Sequence, residues 1–462
     1  MAGERNKSAF GCRLPPGVAP NTVITDIRGK PWTLGSMLGQ GGFGAIYRVQ
    51  PGDIALVEEE TKYVAKVEPH DNGPLFVELH ALLRLGRQLS RIGWKPRYED
   101  KGMGWVGVPV YHTHGSFVVN TGVKLRFLIM SRHGSDLETI FQSGMKPLPM
   151  AAVLNIGLQV LNSLEYVHHH GYCHNDVKAA NILMDETGCD VYLVDFGLAC
   201  KYRNDEGYHC DGGEDVRKAH EGTLEYCSRD AHRGAHSRRG DLESLGYCML
   251  HWTGAHLPWI HALKEDPECV QAAKEISLAN ISNFLSSCFH PSPPPSTLLS
   301  YWNNVLELKF ESQPDYAQLR NILTQALEEL GSYPHEKLVF SGKTVDIIQK
   351  SSAVPELILE KGKKRTRTRS QTKDDDVQSP SLLEFDDPEC VMREARRMYA
   401  EEEMYYRNIE KEVNFIRAQK DSLNNPTPEM RRFITLMTSQ QSRDTLLLYF
   451  LVCSNNIRWL SE

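Results

Sequence analysis

The sequence contains no apolar run long enough to cross a membrane. The longest, Leu446–Cys453, has eight residues, against the roughly 20 that a spanning helix needs, so no stable membrane association is expected. No charged-then-apolar leader follows Met1, where Glu4, Arg5 and Lys7 run into mixed residues; secretion is not expected either. None of the eleven cysteines sits in a C-x-x-C pair. Their scatter reads as reduced thiols of the cytosol or nucleus, not a disulfide framework. A basic excess is missing too: 52 Lys and Arg face 59 Asp and Glu, a formal net charge of −7. That excludes a surface coated for nucleic acid while still allowing a local basic patch. No repeat is long enough to imply a solenoid.

What remains is globular. The 462 residues suffice for one large or two to three ordinary domains, and 41% hydrophobic with 24% charged residues is a soluble composition. Residues 1–23 lack periodicity and carry Pro15, Pro16 and Pro20, which reads as a flexible arm. From residue 24 the first third favours short β-type runs: Trp32–Leu38, Ala45–Val49, Thr61–Val67 and Lys124–Met130. Helical spacing follows, as in Ala151–His169. A small β-rich lobe before a larger helical one is an α+β arrangement, expected over residues 24–335. Residues 336–386 read as a charged, disordered linker. Residues 387–462 read as a helical tail, with Val391, Ala395, Met398, Tyr405, Ile409, Val413 and Ile416 at spacings of three, four or seven.

The first chemical signal is Gly39-Gln40-Gly41-Gly42-Phe43-Gly44-Ala45-Ile46. Glycines let backbone N–H groups approach a polyphosphate without a Cβ in the way. A dinucleotide fingerprint would open a helix at this point. Here a β-type run follows, so a strand–loop–strand nucleotide lid fits better, with a ligand-free glycine hairpin as the bland alternative. Lys66 lies at the end of the strand-like run Tyr63–Val67, where a lysine under the lid can pair with the α and β phosphates. Its carboxylate partner is read as Glu78, on the amphipathic run Pro74–Leu85. Glu68, two residues along the strand from Lys66, is the competitor.

The strong signal is His174-Asn175-Asp176-Val177-Lys178-Ala179-Ala180-Asn181, followed by Val194-Asp195-Phe196-Gly197. Phosphoryl transfer needs a base or positioner for the incoming hydroxyl, which Asp176 fits, and cations for the phosphoryl oxygens. Lys178, two residues on, supplies one. Magnesium would supply the rest, held by the hard oxygens of Asn181 and Asp195. Thr223, in Glu221-Gly222-Thr223, is placed to hydrogen-bond this loop. Asp241 reads either as a brace for the loop backbone or as a helix N-cap.

These segments, with Val67–Glu78, Phe127–Leu137 and Ser237–Met249, resemble the vaccinia-related kinases, a branch of the casein kinase 1 group of Ser/Thr protein kinases. The resemblance covers residues 24–335 and implies a bilobal protein-kinase fold, ATP and magnesium as cofactors, and Ser/Thr phosphorylation of nuclear proteins. Histones, a small DNA-bridging chromatin protein and transcription factors are the substrate classes it implies. By the same alignment Gly39, Gly41, Gly42, Gly44 and Ile46 meet the nucleotide. Met130 is the gatekeeper, and Ser131–His133 form the hinge that meets adenine. Asn175 departs from the family of kinases at large, in which arginine commonly precedes the catalytic aspartate. Without that arginine the usual clamp on a phosphorylated activation loop is missing. The expected protein is a monomeric kinase; the contrasting reading is a pseudokinase scaffold that binds partners without catalysis. Against the latter, Gly41, Gly44, Lys66, Asp176, Asn181 and Asp195 are all present.

The net charge hides a segregated tail. Residues 336–462 hold 21 basic and 21 acidic side chains, so the whole imbalance lies before them. Lys361–Arg369 holds six basic residues of nine, and Asp374–Asp376 then reverses the sign. The basic stretch reads as a nuclear-import signal or a DNA-contacting arm, with a solvated charge run as the alternative. A nuclear, and also cytoplasmic, location is expected.

Overall fold

A computed structural model describes residues 14–344, apart from 42–43, 53–60, 87–90, 92–93, 95–105, 146, 205–206, 211–213, 265 and 341–342. The chain separates into two units, Met1–Val354 and Pro355–Glu462, and the described residues all belong to the first. Gly42, the basic stretch Lys361–Arg369, the linker beyond residue 344 and the tail 387–462 lie outside them.

The β-type runs form one antiparallel sheet of six strands. These are β1 (Val23–Thr25), β2 (Pro31–Gln40), β3 (Ala45–Pro51), β4 (Tyr63–Pro69), β5 (Tyr111–Val118) and β6 (Lys124–Ser131), in the order β1-β2-β3-β4-β6-β5. Alternation sends Ala45, Tyr47 and Val49 of β3 and Ala65 and Val67 of β4 into one core with Leu34, Leu125, Phe127 and Ile129. It turns Ile46 and Lys66, which are directly opposed across β3 and β4, to the other face. β1 and β5 were not legible as strands. β1 is three residues long, and β5 carries His112, His114 and a register shift between Tyr111 and Thr113. Residues 14–22, in the stretch read as an arm, are tied to the sheet: Asn21 N–H donates to Leu34 O at 2.7 Å, and Val18 N–H to the Tyr47 hydroxyl.

The larger lobe is built on the helix Met150–His169, whose residues are buried on nearly every side. It packs against Tyr316–Glu329 and Arg238–Trp252. A single apolar cluster runs from Leu137 through Trp252, Trp259 and Trp302 to Phe340, so the packed chain continues past residue 335: Leu338 and Phe340 are buried, and Leu338 N–H donates to Gly188 O. Ser237 caps Arg238–Trp252, accepting from Gly240 N–H, a contact worth about 1 kcal/mol. Asp241 is therefore not the cap; it lies a turn inside. No helix among the described residues is long and apolar enough to cross a membrane.

Candidate active site

Strand register and one helix bring the first three charged residues together. Lys66 Nζ donates to Glu78 Oε2 at 2.5 Å and to Asp195 Oδ1 at 2.8 Å. Glu78 reaches it from the helix Pro74–Leu85, whose Pro74 occupies the first turn where its missing N–H costs nothing. Burial alone would lower the Lys66 ammonium, but the carboxylates of Asp195 and Glu78 override it and lift it above the ordinary lysine value. Burial raises the Glu78 carboxyl despite Lys66. Asp195 runs the other way: its burial is outweighed by the charge and hydrogen bond of Lys66, which hold it below the usual range. Glu68, the competing partner, is used elsewhere. Its Oε1 accepts from Leu75 N–H at 2.8 Å at the start of the same helix, and burial lifts it to about 7.

The catalytic-loop sequence is held from beneath. Asp241 accepts from His174 N–H at 2.7 Å, from Asn175 N–H at 2.8 Å and from His168 Nε2 at 2.8 Å. His174 is fully buried, and burial lowers it, so it is neutral. Its Nδ1 accepts from Asp176 N–H, so Nε2 carries the proton and donates to Val194 O at 3.1 Å. One imidazole thus ties the two motifs together. Asn175 has φ +67°, a left-handed conformation that asparagine tolerates better than arginine. Its Nδ2 donates to Leu198 O at 2.8 Å. The residue in the arginine position therefore holds the chain after Asp195 by a neutral amide.

At the surface of this platform Asp176, Lys178, Asn181 and Thr223 converge. Thr223 Oγ1 donates to Asp176 Oδ1 at 2.7 Å and accepts from Lys178 Nζ at 2.9 Å. Lys178 Nζ also lies 2.7 Å from Asp176 Oδ2, and Asn181 Nδ2 donates to the Asp176 main-chain O and Oδ2. Gly222, with φ +99°, passes so close beneath that a Cβ would lie 2.7 Å from Asn175 O. Asn181 Oδ1 and Asp195 Oδ2 receive no hydrogen bond among the described residues. Asp195 keeps 29% of its side chain exposed. Two hard oxygens are thereby left for a cation, the donor set that magnesium prefers.

The glycine loop crosses above. Gly39 pairs with Ile46, and Gly41 N–H donates to Gly44 O. Open space lies where Gly39 or Gly41 would carry a Cβ, whereas at Gly44 a Cβ would meet Val67 O at 2.5 Å. Gly44 is thus required by the packing of the turn on β4 as well as by any ligand. Met130 is buried opposite Val64, and Ser131 follows opposite Tyr63. The His133 ring stacks on Tyr192 at 3.7 Å, lowered to about 4 by burial and hence neutral; nothing in the motif announced that stack. A cleft of about 490 Å³ opens beside Lys178 and Thr223, walled by Glu138, Phe141, Glu225 and Tyr226.

The protein kinase domain family model matches residues 116–326. The chain is 40% identical over 322 residues to nucleosomal histone kinase 1 of Drosophila melanogaster, a match covering 69% of this chain and 51% of that protein. It thus spans about half the length of that relative. It is 34% identical over 309 residues to the B1 kinase of vaccinia virus (strain Western Reserve), covering 66% of this chain and 97% of the viral protein. A solved structure of vaccinia related kinase 3 superposes with a TM-score of 0.62 at 32% identity, covering 70% of this chain and 95% of that one.

Proposed function

The chain belongs to the vaccinia-related kinases, a family of Ser/Thr protein kinases, and from that premise we propose that it transfers the γ-phosphate of ATP to serine and threonine hydroxyls of chromatin proteins, histones first among them. A small DNA-bridging chromatin protein and transcription factors are the further substrate classes. The supporting observation is the convergence of Asp176, Lys178 and Thr223 above the loop braced by Asp241, beside a cleft open to an acceptor chain. In this reading Asp176 accepts the hydrogen bond of the incoming hydroxyl, and Lys178 stands against charge developing on the transferred group. Lys66, oriented by Glu78, holds the α and β phosphates. The loop with Gly39, Gly41, Gly42, Gly44 and Ile46 covers them, and Met130, Ser131 and His133 border adenine. Asn181 and Asp195 would hold magnesium, which neutralises phosphate charge.

Asn175 adds a regulatory expectation. Unphosphorylated recombinant protein, given radiolabelled ATP and magnesium, is expected to label histone well above casein, with labelling lost in Asp195→Ala. Wild type without transfer would favour a scaffold that binds without catalysis. Activity appearing only after loop phosphorylation would overturn the role given to Asn175.

The nuclear reading rests on the charge of Lys361–Arg369 and on the name of the Drosophila relative. A reporter fused to residues 340–380 is expected to enter nuclei, with a cytosolic reporter counting against it. A contact with DNA or an import receptor would use the same stretch, and neutralising its lysines and arginines should abolish entry.

A further inference from the structure

Lys274 is fully buried, on the helix Pro267–Leu278, and none of the ion pairs among the described residues includes it. An ammonium away from water and without a carboxylate is costly, so its surroundings call for a physical reason. Nζ donates to Leu224 O at 2.7 Å and to Cys227 O at 2.6 Å, and it lies 3.2 Å from His232 Nε2. The rings of Tyr247 and Trp259 flank it at 5.2 and 5.4 Å, the faces toward which a cation is drawn. His232 is lowered to about 3, first by burial and then by Lys274, and so presents a neutral acceptor. All three ammonium protons have acceptors.

What Lys274 grips is the turn directly after Thr223. Leu224 and Cys227 bracket Glu225 and Tyr226, which wall the cleft beside Lys178. The indole N–H of Trp259 holds the carbonyl between them, donating to Glu225 O at 2.9 Å. The turn closes on itself through Tyr226 N–H and Cys227 N–H, both donating to Thr223 O. Farther along, Arg229 is fixed by Glu243, and Asp230 by Arg239. These later contacts anchor the end of the segment to Arg238–Trp252, whose His251 also meets the Tyr226 hydroxyl and Glu225 Oε1; the backbone carbonyls of Leu224, Glu225 and Cys227 are held by Lys274 and Trp259.

We propose that Lys274 is a positioning residue for the acceptor substrate: its ammonium, with the Trp259 indole, fixes the Leu224–Cys227 turn so that Glu225 and Tyr226 present one wall of the acceptor cleft. This rests on the kinase reading of Asp176 and Thr223 and extends it to a residue that touches neither. The charge is suited to the task because one ammonium satisfies two diverging carbonyls and an imidazole, which no neutral side chain of that length does.

The test uses the full chain with a histone-tail peptide. In Lys274→Met the peptide KM is expected to rise about tenfold or more, with kcat and the KM for ATP changing less than about twofold. Trp259→Phe, which deletes the indole N–H and keeps an aromatic ring, should shift in the same direction. Leu278→Ala, a cavity on the same helix, should lower thermal stability and leave the peptide KM in place. Equal movement of peptide and ATP parameters, an equal shift in Leu278→Ala, or no shift at all would overturn the proposal. If Lys274→Met fails to fold, Trp259→Phe decides. Calorimetric peptide affinity reads the same contrast without turnover, so an inactive wild type would remove the kinase reading and still leave this one to be judged.

Discussion

Lys66→Met is expected to lower phosphate transfer on the order of 10²–10³-fold, the usual consequence of deleting one preorganised charge at a phosphoryl site. The fold should pay as well. Glu78 is 1% exposed and has Phe196 N–H at 3.4 Å as its other donor. Breaking a buried pair by removing one partner destabilises by about 3–5 kcal/mol. Glu78 can recover part of this by taking a proton, since burial already raises its carboxyl and the loss of Lys66 raises it further. A carboxyl whose folded value lies above its unfolded one favours folding at low pH and loses that advantage as pH rises through the folded value. The gap in melting temperature between wild type and Lys66→Met should therefore widen from weakly acid to neutral pH. Lys66→Met with Glu78→Leu removes the stranded carboxyl: thermal stability should return toward wild type while transfer stays lost. Near-normal transfer in either variant would sink the assignment of Lys66; a melting gap independent of pH would sink the account of Glu78.

How much of this was legible depended on whether the chemistry lay in one stretch of chain. His174–Asn181 and Val194–Gly197 are local motifs, and both are found at one site with Thr223. The choice between Glu68 and Glu78 was harder because Lys66 and Glu68 share a face of β4 by simple alternation. Only the packing decided it: the helix start at Leu75 consumes the Glu68 carboxylate. β5 stayed hidden because its histidines break the β-type pattern, although the paired strand buries His114 and leaves His112 on the Ser131 hydroxyl. Lys274 did leave a trace. Val270, Lys274 and Leu278 are the buried residues of their helix, spaced by four, so the lysine occupies an apolar stripe where charge is out of place. What no sequence pattern announces is which carbonyls it meets, because Leu224 and Cys227 lie some fifty residues earlier.

Asp241 carries the second large effect, and it separates support from chemistry. Asp241→Asn preserves shape but leaves one carbonyl oxygen where two carboxylate oxygens had accepted from His174 N–H, Asn175 N–H and His168; the new amide N–H₂ must face a backbone donor. Hydrogen bonds to a charged group contribute about 1.5–3 kcal/mol each and do not add fully, so a loss of about 3–5 kcal/mol in unfolding free energy is expected. Transfer should fall roughly 10²-fold even in the folded fraction, because Asp176 rides on the displaced loop and a shift near 1 Å costs that much. Burial alone would raise the Asp241 carboxyl, but the hydrogen bond and charge of His168 and the His174 amide outweigh it and hold it below the ordinary value. A depressed carboxyl stabilises above its unfolded pKa and loses that contribution as pH falls through the folded one. The stability gap to Asp241→Asn should accordingly be constant near neutrality and close only in acid, below the usual aspartate range. Asp176→Asn is the contrast: its loss of transfer should be as large or larger, with a smaller change in denaturant midpoint, since two of its three side-chain donors, Thr223 and Lys178, line the cleft and only Asn181 is buried with it. Denaturant titration and single-turnover kinetics on both variants decide the matter. A fully stable Asp241→Asn would remove the brace from the account, and an Asp176→Asn that unfolds as readily would mean that Asp176 holds structure before it serves chemistry.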